Sequence, residues 1–117
     1  MRDFVSGEPD ILNSAQLLEV AMHDEAMARE VLNLLVKDTS EHLPGLAAAI
    51  RGGDAESAAR LAHYSKGACA SAGALAAAAT LGTIEGHARS RDFEGCARSL
   101  NRLSSDLKHL REAVESF

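Results

Sequence analysis

The sequence predicts an all-α fold: an antiparallel up-down-up-down four-helix bundle preceded by a short leader helix. Aromatic residues make up only 3% of the 117 residues and alanine is abundant, so the core must form from small and aliphatic side chains. No segment shows the Val/Ile/Thr alternation or the Asn-Gly and Asp-Gly turns that are typical of β-hairpins. Apolar residues recur at helical spacing instead, and the short connections between these segments favour antiparallel neighbours.

The first half of the chain predicts a leader and two helices. We expect residues 1–9 to form a flexible leader and residues 10–117 to form a single domain. Residues 11–24 predict a short amphipathic helix, after which Asp24 can cap a long second helix. Pro44 removes one backbone hydrogen bond from that helix, which must kink or restart there, and we favour a kinked continuous helix. Its apolar residues form two stripes: Met27, Val31, Leu34 and Leu35, then Leu43, Leu46, Ala47 and Ile50.

Three more helices follow in the second half of the chain. Gly52 and Gly53 end the long helix, and Asp54 can cap a third helix that ends near Gly73. Residues 74–89 predict a fourth helix, which the sequence SRD interrupts. The fifth helix has apolar residues at alternating spacings of four and three, as in a bundle seam: Cys96, Leu100, Leu103, Leu107, Leu110 and Val114.

Composition excludes several classes of function. The formal net charge of −5, without a basic run or an aromatic ladder, argues against nucleic-acid binding. No apolar stretch approaches the roughly 20 residues that span a bilayer, and residues 1–10 lack the apolar centre of a signal peptide. Cys69 and Cys96 have no CxxC spacing, so we interpret them as reduced core residues rather than a disulfide. These features predict a cytoplasmic protein with no membrane segment.

His63 lies on an unusual strip of the predicted third helix. Since an α-helix turns about 100° per residue, the core face is expected to hold Ala58, Leu61, Ser65, Ala68 and Ala72, on the side opposite His63. His63 should therefore point out of the bundle. The residues within about 60° of it are mostly small or basic: Glu56, Ala59, Arg60, Lys66, Gly67, Ala70 and Ala74.

The strip has the chemistry of an accessible nucleophile. Glycine inside a helix costs about 1 kcal/mol relative to alanine, yet Gly67 stands one turn from His63, and Ala59 and Ala70 also leave the surface bare. A free imidazole is substantially neutral in a cell and can act as a nucleophile. Arg60 and Lys66 would stabilise an anion carried on the ring. The strip suits phosphoryl transfer from a large partner docked on a flat face, although an ordinary surface histidine remains an alternative.

The sequence AHYSKGACASAGA resembles the signature A-H-x-x-K-G-x-x-x-x-x-G of histidine-phosphotransfer (HPt) domains. Ala62, His63, Lys66, Gly67 and Gly73 match that signature. The flanks resemble the family too, since AAIRGGDAESAARLAH is similar to its approach to the active histidine and IEGHAR to its usual L-E-x-x-A-R. The resemblance extends along nearly the whole chain.

The resemblance implies a phosphorelay intermediate that carries a phosphoryl group between aspartates of response-regulator receiver domains. His63 would carry it on its outward nitrogen and Lys66 would hold a phosphoryl oxygen. The receiver would dock on Gly67, Arg60, Ala59, Ala70 and Tyr64. No kinase activity, metal or cofactor is expected of the chain itself, because the receiver would supply Mg²⁺. The implied partners are receiver domains and a hybrid sensor histidine kinase, and we expect a monomer.

Two departures from the family pattern and one rival function stand beside this interpretation. Ser65 stands on the core face where the family usually has leucine or another apolar residue, and Tyr64 is larger than the usual serine or threonine. We interpret both as features of partner choice or local packing. The rival is an HPt-like docking module that binds a receiver without passing phosphate. The presence of both His63 and Lys66 argues against it. The remaining histidines are interpreted as surface or capping residues: His23, His42, His87 and His109.

Overall fold

The computed structural model describes residues 9–116 and confirms the predicted all-α bundle with a leader helix. Its helices are α1 (Ser14–Val20), α2 (Glu25–Arg51), α3 (Ala55–Ser71), α4 (Leu75–Arg89) and α5 (Phe93–Glu115), and no strand occurs in this range. Helix α3 packs between α2 and α4, and α5 packs against the same two helices, which closes the bundle. The predicted flexible leader lies outside the described residues except for Pro9.

Aspartates begin three of the helices, and two of these caps were predicted. Asp24, Asp54 and Asp92 precede α2, α3 and α5, and each carboxylate accepts a hydrogen bond from the backbone N–H three residues on. Such a cap satisfies one of the free donors at a helix start and typically contributes about 1 kcal/mol. Gly53 and Gly73 follow α2 and α3 with φ of +68° and +84°, a conformation that glycine adopts without strain.

The continuous form of α2 is confirmed, because the helix runs from Glu25 to Arg51 with Pro44 inside it. Helix α1 is shorter than the predicted span of residues 11–24. Asn13 caps its start by accepting a hydrogen bond from the Gln16 backbone N–H. Met22 and His23 then adopt positive φ angles of 57° and 64°, which end the helix before Asp24.

The core joins aliphatic side chains from all five helices and includes both cysteines. Its largest fully buried members are Leu17, Leu32, Leu81, Ile84, Leu103, Leu107, Leu110, Cys69 and Cys96. Cys69 and Cys96 are free thiols, in agreement with their interpretation as reduced core residues. Between residues 9 and 116, no helix has the length and apolar character needed to cross a bilayer.

The first apolar stripe of α2 does not all enter the core. Leu34 is 61% exposed and Met27 is 49% exposed, whereas Ala28 and Leu32 face inward. The stripe borders an open groove of about 520 Å³, here called the α2–α3 groove. The groove is lined by Val20, Val31, Leu34, Leu35, Lys37, Asp38, Glu41, Ala68, Ser71 and Ala72.

Helix α1 is attached to the corner between α3 and α4 by hydrogen bonds to the main-chain carbonyls of that corner. The Asn13 backbone N–H donates to the Gly73 carbonyl at 2.8 Å. The Gln16 side-chain amide donates to the Ala70 carbonyl at 2.6 Å. A Cβ at Gly73 would stand 2.7 Å from the Asn13 carbonyl oxygen, so the corner needs glycine both for its conformation and for this close approach.

Candidate functional site

His63 lies on the solvent side of α3, as predicted, with 64% of its side chain exposed. Its Nδ1 atom lies 3.1 Å from Oε2 of Glu85, which comes from the neighbouring helix α4. This contact orients the imidazole from one edge. Among the described residues, no hydrogen bond is made to the other ring nitrogen, Nε2, which therefore remains available to a partner.

Glu85 connects three cationic or potentially cationic side chains, and we call His63, Lys66, Glu85 and Arg89 the Glu85 cluster. Lys66 donates to Oε1 of Glu85 at 2.8 Å. Arg89 donates to Oε2 through Nε at 3.2 Å and Nη2 at 2.7 Å. Only 10% of the Glu85 side chain is exposed, so a nearly buried carboxylate is held by charged partners at the bundle surface.

The cluster fixes the protonation state of Glu85. Its hydrogen bond from Lys66, followed by that from Arg89, lowers the pKa of Glu85 from 4.5 to about 2. The carboxylate is therefore ionised at neutral pH and can only accept hydrogen bonds. His63 must carry its proton on Nδ1 to make the observed contact, which leaves the lone pair of a neutral ring on Nε2.

Gly67 leaves the surface beside His63 open, as the sequence predicts. A Cβ built at Gly67 meets no atom within 4 Å, so no neighbouring helix requires glycine there. Gly82 on α4 has a different environment, because its Cβ would lie 3.5 Å from Cδ of Lys66. The small residue at position 82 lets the lysine stem lie close to α4 on its way to Glu85.

The predicted docking residues are only partly on the surface. Arg60, Tyr64 and Ala70 are exposed, but Ala59 is 6% exposed and its predicted place on the docking surface is wrong. Ala59 lies on the same side of α3 as Lys66, and this side turns towards α4. The helical wheel located Ala59 near His63 correctly but could not show that α4 covers that flank.

Tyr64 extends the exposed surface of α3 towards α2. Its ring packs edge-to-face on His42 with 5.3 Å between ring centroids, and Nδ1 of His42 lies 2.9 Å from the Asp38 carbonyl oxygen. Farther along α3, Ala68 and Ser71 line the α2–α3 groove. They lie roughly 7–12 Å from His63 along the helix axis and roughly 80–140° round it, so the groove lies on the α2 side of α3, farther along the helix than the imidazole.

Sequence reasoning missed Glu85, Arg89 and the groove as parts of the site. Glu85 and Arg89 stand within the quoted sequence IEGHAR, whose spacing places both on one face of α4, but no role was assigned to them. Leu34 gave no signal, because an apolar residue at helical spacing normally indicates core. Among residues 9–116, no group of three or more His, Cys, Asp or Glu side chains could hold a metal ion.

Comparison with known proteins agrees with this fold. A family model described as the Hpt domain matches residues 30–113, so the chain belongs to the Hpt domain family. It is a histidine-phosphotransfer protein of the kind that acts in phosphorelays. No curated protein sequence gives a significant match.

Two solved structures share the fold. Histidine-containing phosphotransfer protein B (HptB) from Pseudomonas aeruginosa PAO1 is similar with a TM-score of 0.82 and 24% sequence identity, covering 91% of this chain and 92% of that chain. A putative histidine-containing phosphotransfer protein from rice is similar with a TM-score of 0.79 and 19% identity, covering 91% of this chain and 78% of that one.

Proposed function

We propose that His63 is the phosphoacceptor, which takes a phosphoryl group from an aspartyl phosphate of one receiver domain and passes it to an aspartate of another. The observation that carries this proposal is the contact between Nδ1 of His63 and the ionised carboxylate of Glu85. It holds the imidazole in the form whose free lone pair, on Nε2, can attack phosphorus.

The transfer step is a displacement at phosphorus. The Nε2 lone pair forms the N–P bond while the P–O bond to the donor aspartate breaks, and the electron pair leaves with the carboxylate oxygen. The proton stays on Nδ1, so the ring becomes cationic. Glu85 stabilises that positive charge at 3.1 Å. Transfer to the next receiver is the reverse displacement.

Lys66 supplies the local positive charge for the phosphoryl oxygens, one helical turn from His63. Phosphoryl transfer depends mainly on in-line positioning and charge neutralisation, so one nucleophile and one cation are a sufficient contribution from this chain. The receiver supplies Mg²⁺ and the aspartate. The Hpt domain needs no metal ion or nucleotide of its own for this step.

The docking surface combines the bare strip with the α2–α3 groove. Gly67, Arg60, Tyr64 and Ala70 surround His63, and the groove adds the exposed side chain of Leu34. An exposed apolar groove on the same helix as a reactive side chain is typical of a protein interaction site. Its occupant is a receiver domain, because the donor and acceptor of the phosphoryl group are both carried on one.

The family supports a proposal for the partners, and the buried thiols support one for the setting. Hpt domains interact with response regulators and kinases of phosphorelays. For this chain we propose receiver domains and a hybrid sensor histidine kinase as partners, with the chain acting as a monomer and without binding nucleic acid. The buried free thiols Cys69 and Cys96 support a cytoplasmic setting, in which such residues stay reduced.

A docking module that binds receivers without accepting phosphate is the second candidate. The α2–α3 groove favours it, because apolar docking needs no nucleophile. The Glu85 cluster argues for transfer, because a surface that only docks gains nothing from an imidazole oriented by a nearly buried carboxylate.

The deciding experiment incubates the protein with a phosphorylated receiver and follows the label. We expect an acid-labile, base-stable label on the parent and none on His63→Gln, which should keep the helical fold because His63 lies outside the core. His87→Gln and His109→Gln are the controls and should label normally, because neither histidine lies on α3 or contacts the proposed docking residues. Label on His63→Gln would refute the assignment. Binding of the receiver without any label on the parent would favour the docking module.

A further inference from the structure

The two oxygens of the Glu85 carboxylate have unequal sets of partners. Oε1 accepts a hydrogen bond from Lys66 alone among the described contacts, at 2.8 Å. Oε2 lies 3.1 Å from Nδ1 of His63 and also accepts both hydrogen bonds from Arg89, through Nε and Nη2. Arg89 thus donates two hydrogen bonds to Oε2, whereas Oε1 accepts one from Lys66.

This arrangement conflicts with the needs of a phosphorylated His63. A phosphoryl group brings close to two negative charges at neutral pH, but the ammonium of Lys66 is already bound to Glu85 in the resting protein. For Lys66 to reach a phosphoryl oxygen, its bond to Oε1 must weaken or break. A carboxylate oxygen at a nearly buried position would then lose its hydrogen bond, which disfavours the movement.

Arg89 has the geometry to remove that obstacle. The Nε and Nη2 donors of a guanidinium form a fork that matches the two oxygens of a carboxylate. The Arg89 side chain is 63% exposed, so the protein around it leaves room for a small rotation. A rotation that moves one donor from Oε2 to Oε1 would give Glu85 a two-oxygen contact and keep its charge neutralised.

We propose that Arg89 is the reserve cation of Glu85: it takes over Oε1 when Lys66 turns to the phosphoryl group on His63. Arg89 is then a positioning residue, which acts on the phosphoryl group through Glu85 and Lys66. The proposal rests on His63 being the phosphoacceptor. It assigns different roles to two cations that are both bound to one carboxylate in the resting protein.

A purely structural role gives different expectations. Arg89 and Glu85 are four residues apart on α4, and an exposed pair at this spacing stabilises a helix only slightly. If helix stabilisation were its whole role, replacing Arg89 would not change the lifetime of a phosphohistidine. If Arg89 releases Lys66, its replacement should have an effect only where Lys66 is present.

The test labels the full chain with phosphoramidate, a small donor whose N–P bond breaks with release of ammonia, and then measures the phosphohistidine lifetime after the donor is removed. We expect Arg89→Ala and Lys66→Ala each to shorten the lifetime by about threefold or more, with no further loss in the double variant. Arg89→Lys should restore part of the lifetime. Arg91→Ala is the control, because it removes the same charge two residues away, from a side chain that packs on the Phe93 ring. Its phosphohistidine lifetime should equal that of the parent.

A second pair of variants, made in a protein that carries Glu85→Gln, tests whether the effect of Arg89 depends on the charge of Glu85. In Glu85→Gln the carboxylate charge is absent, so Lys66 no longer needs Arg89 in order to leave residue 85. Adding Arg89→Ala to this variant should therefore not change the phosphohistidine lifetime. An Arg89→Ala lifetime equal to that of the parent would overturn the proposal, as would effects of Arg89→Ala and Lys66→Ala that multiply in the double variant. Thermal melts check folding. If Arg89→Ala is destabilised, the lifetime of Arg89→Lys is compared with that of the parent instead.

The same experiment separates this inference from the proposed function. If phosphoramidate and receivers both fail to label His63 in the parent, the proposed function is wrong and this inference fails with it. If His63 is labelled but its lifetime does not depend on Arg89, only the reserve-cation role is wrong.

Discussion

The two flanks of α3 present contrasting surfaces to the same histidine. On the α4 flank, His63 and Lys66 are held by hydrogen bonds of 3.1 Å and 2.8 Å to Glu85, and Arg89 completes the cluster. On the α2 flank, the surface passes through Tyr64 to an open apolar groove in which Leu34 is exposed. The α4 flank holds the side chains of His63 and Lys66 in place through hydrogen bonds, whereas the α2 flank provides an exposed apolar surface.

The contrast separates the chemical step from partner recognition. Hydrogen bonds to a charged carboxylate are directional, so the α4 flank can hold one imidazole nitrogen and present the other. Apolar contact is non-directional and roughly proportional to the area buried, so the α2 flank can accept receivers that differ in detail. Under the proposed function, this protein must recognise more than one receiver while its acceptor atom stays fixed, and we propose that the two flanks of α3 meet these two needs separately.

The largest expected effect comes from adding a side chain at Gly67, with Gly86 as its match on α4. A Cβ meets no atom within 4 Å at either position, so both helices should tolerate leucine. Gly67→Leu should abolish labelling by a receiver while phosphoramidate still labels His63, because only the large donor needs the bare surface. Gly86→Leu should be labelled by both routes. If Gly67→Leu and Gly86→Leu lost labelling by a receiver to the same extent, the receiver would have to dock across α4 as well. The proposed division between a chemical α4 flank and a docking α2 flank would then be wrong.

The next effect concerns the groove. Leu34→Asp places a charge on the apolar surface and should reduce the rate of transfer from a receiver by about tenfold, because docking would bury that charge without a partner. Labelling by phosphoramidate should not change. Met22→Asp is the control, because Met22 is also exposed but does not line the groove. A parental transfer rate for Leu34→Asp would mean that receivers do not use the α2 flank.

The α4 flank predicts a pH dependence of stability. Because the pKa of Glu85 is about 2 in the folded protein against an ordinary 4.5, the unfolded chain takes up the proton first as the pH falls. The stabilising contribution of Glu85 is therefore complete above about pH 4.5 and is lost as the pH falls towards 2. Urea unfolding at a series of pH values should show a shallower acid dependence for Glu85→Gln than for the parent. Glu30→Gln, an exposed change of the same charge inside α2, should resemble the parent, and equal slopes for all three proteins would contradict the prediction.

The smallest effect is on folding free energy. Gly67→Ala and Gly86→Ala should each stabilise the protein by up to about 1 kcal/mol, because alanine is the better helix former and both sites have space for its methyl group. Transfer from a receiver should fall mildly only for Gly67→Ala. Thermal melts and transfer rates test this pair, and destabilisation by Gly67→Ala would show that the glycine is needed for packing.

The sequence predicted features that depend on local chemistry. Asp24 and Asp54 cap their helices as predicted because capping requires only the residue and its next few neighbours. The continuity of α2 through Pro44 was predicted because apolar spacing persists on both sides of the proline. The outward direction of His63 was also predicted, since the core face of α3 is rich in small apolar residues.

The sequence could not show how neighbouring helices divide a surface between them. A helical wheel orders residues around their own axis, but Ala59 is buried and Arg60 exposed because α4 covers one side of the strip and not the other. Leu34 has the same spacing as a core residue, and only the placement of α1 and α3 leaves it facing a groove. The Glu85 cluster depends on the packing of α3 against α4, which sets the distance between Glu85 and Lys66.

The attachment of α1 has a consequence for the order of folding. The hydrogen bond from the Gln16 side chain to the Ala70 carbonyl joins residues 54 positions apart in the chain. The carbonyls of Ala70 and Gly73, which anchor α1, are brought into position only after the corner between α3 and α4 has formed. A helix of 7 residues is not stable alone, and closing a long loop before its anchor exists is entropically unfavourable. We therefore expect α1 to dock last and to open first, so its amides should exchange with deuterium sooner than those of α3.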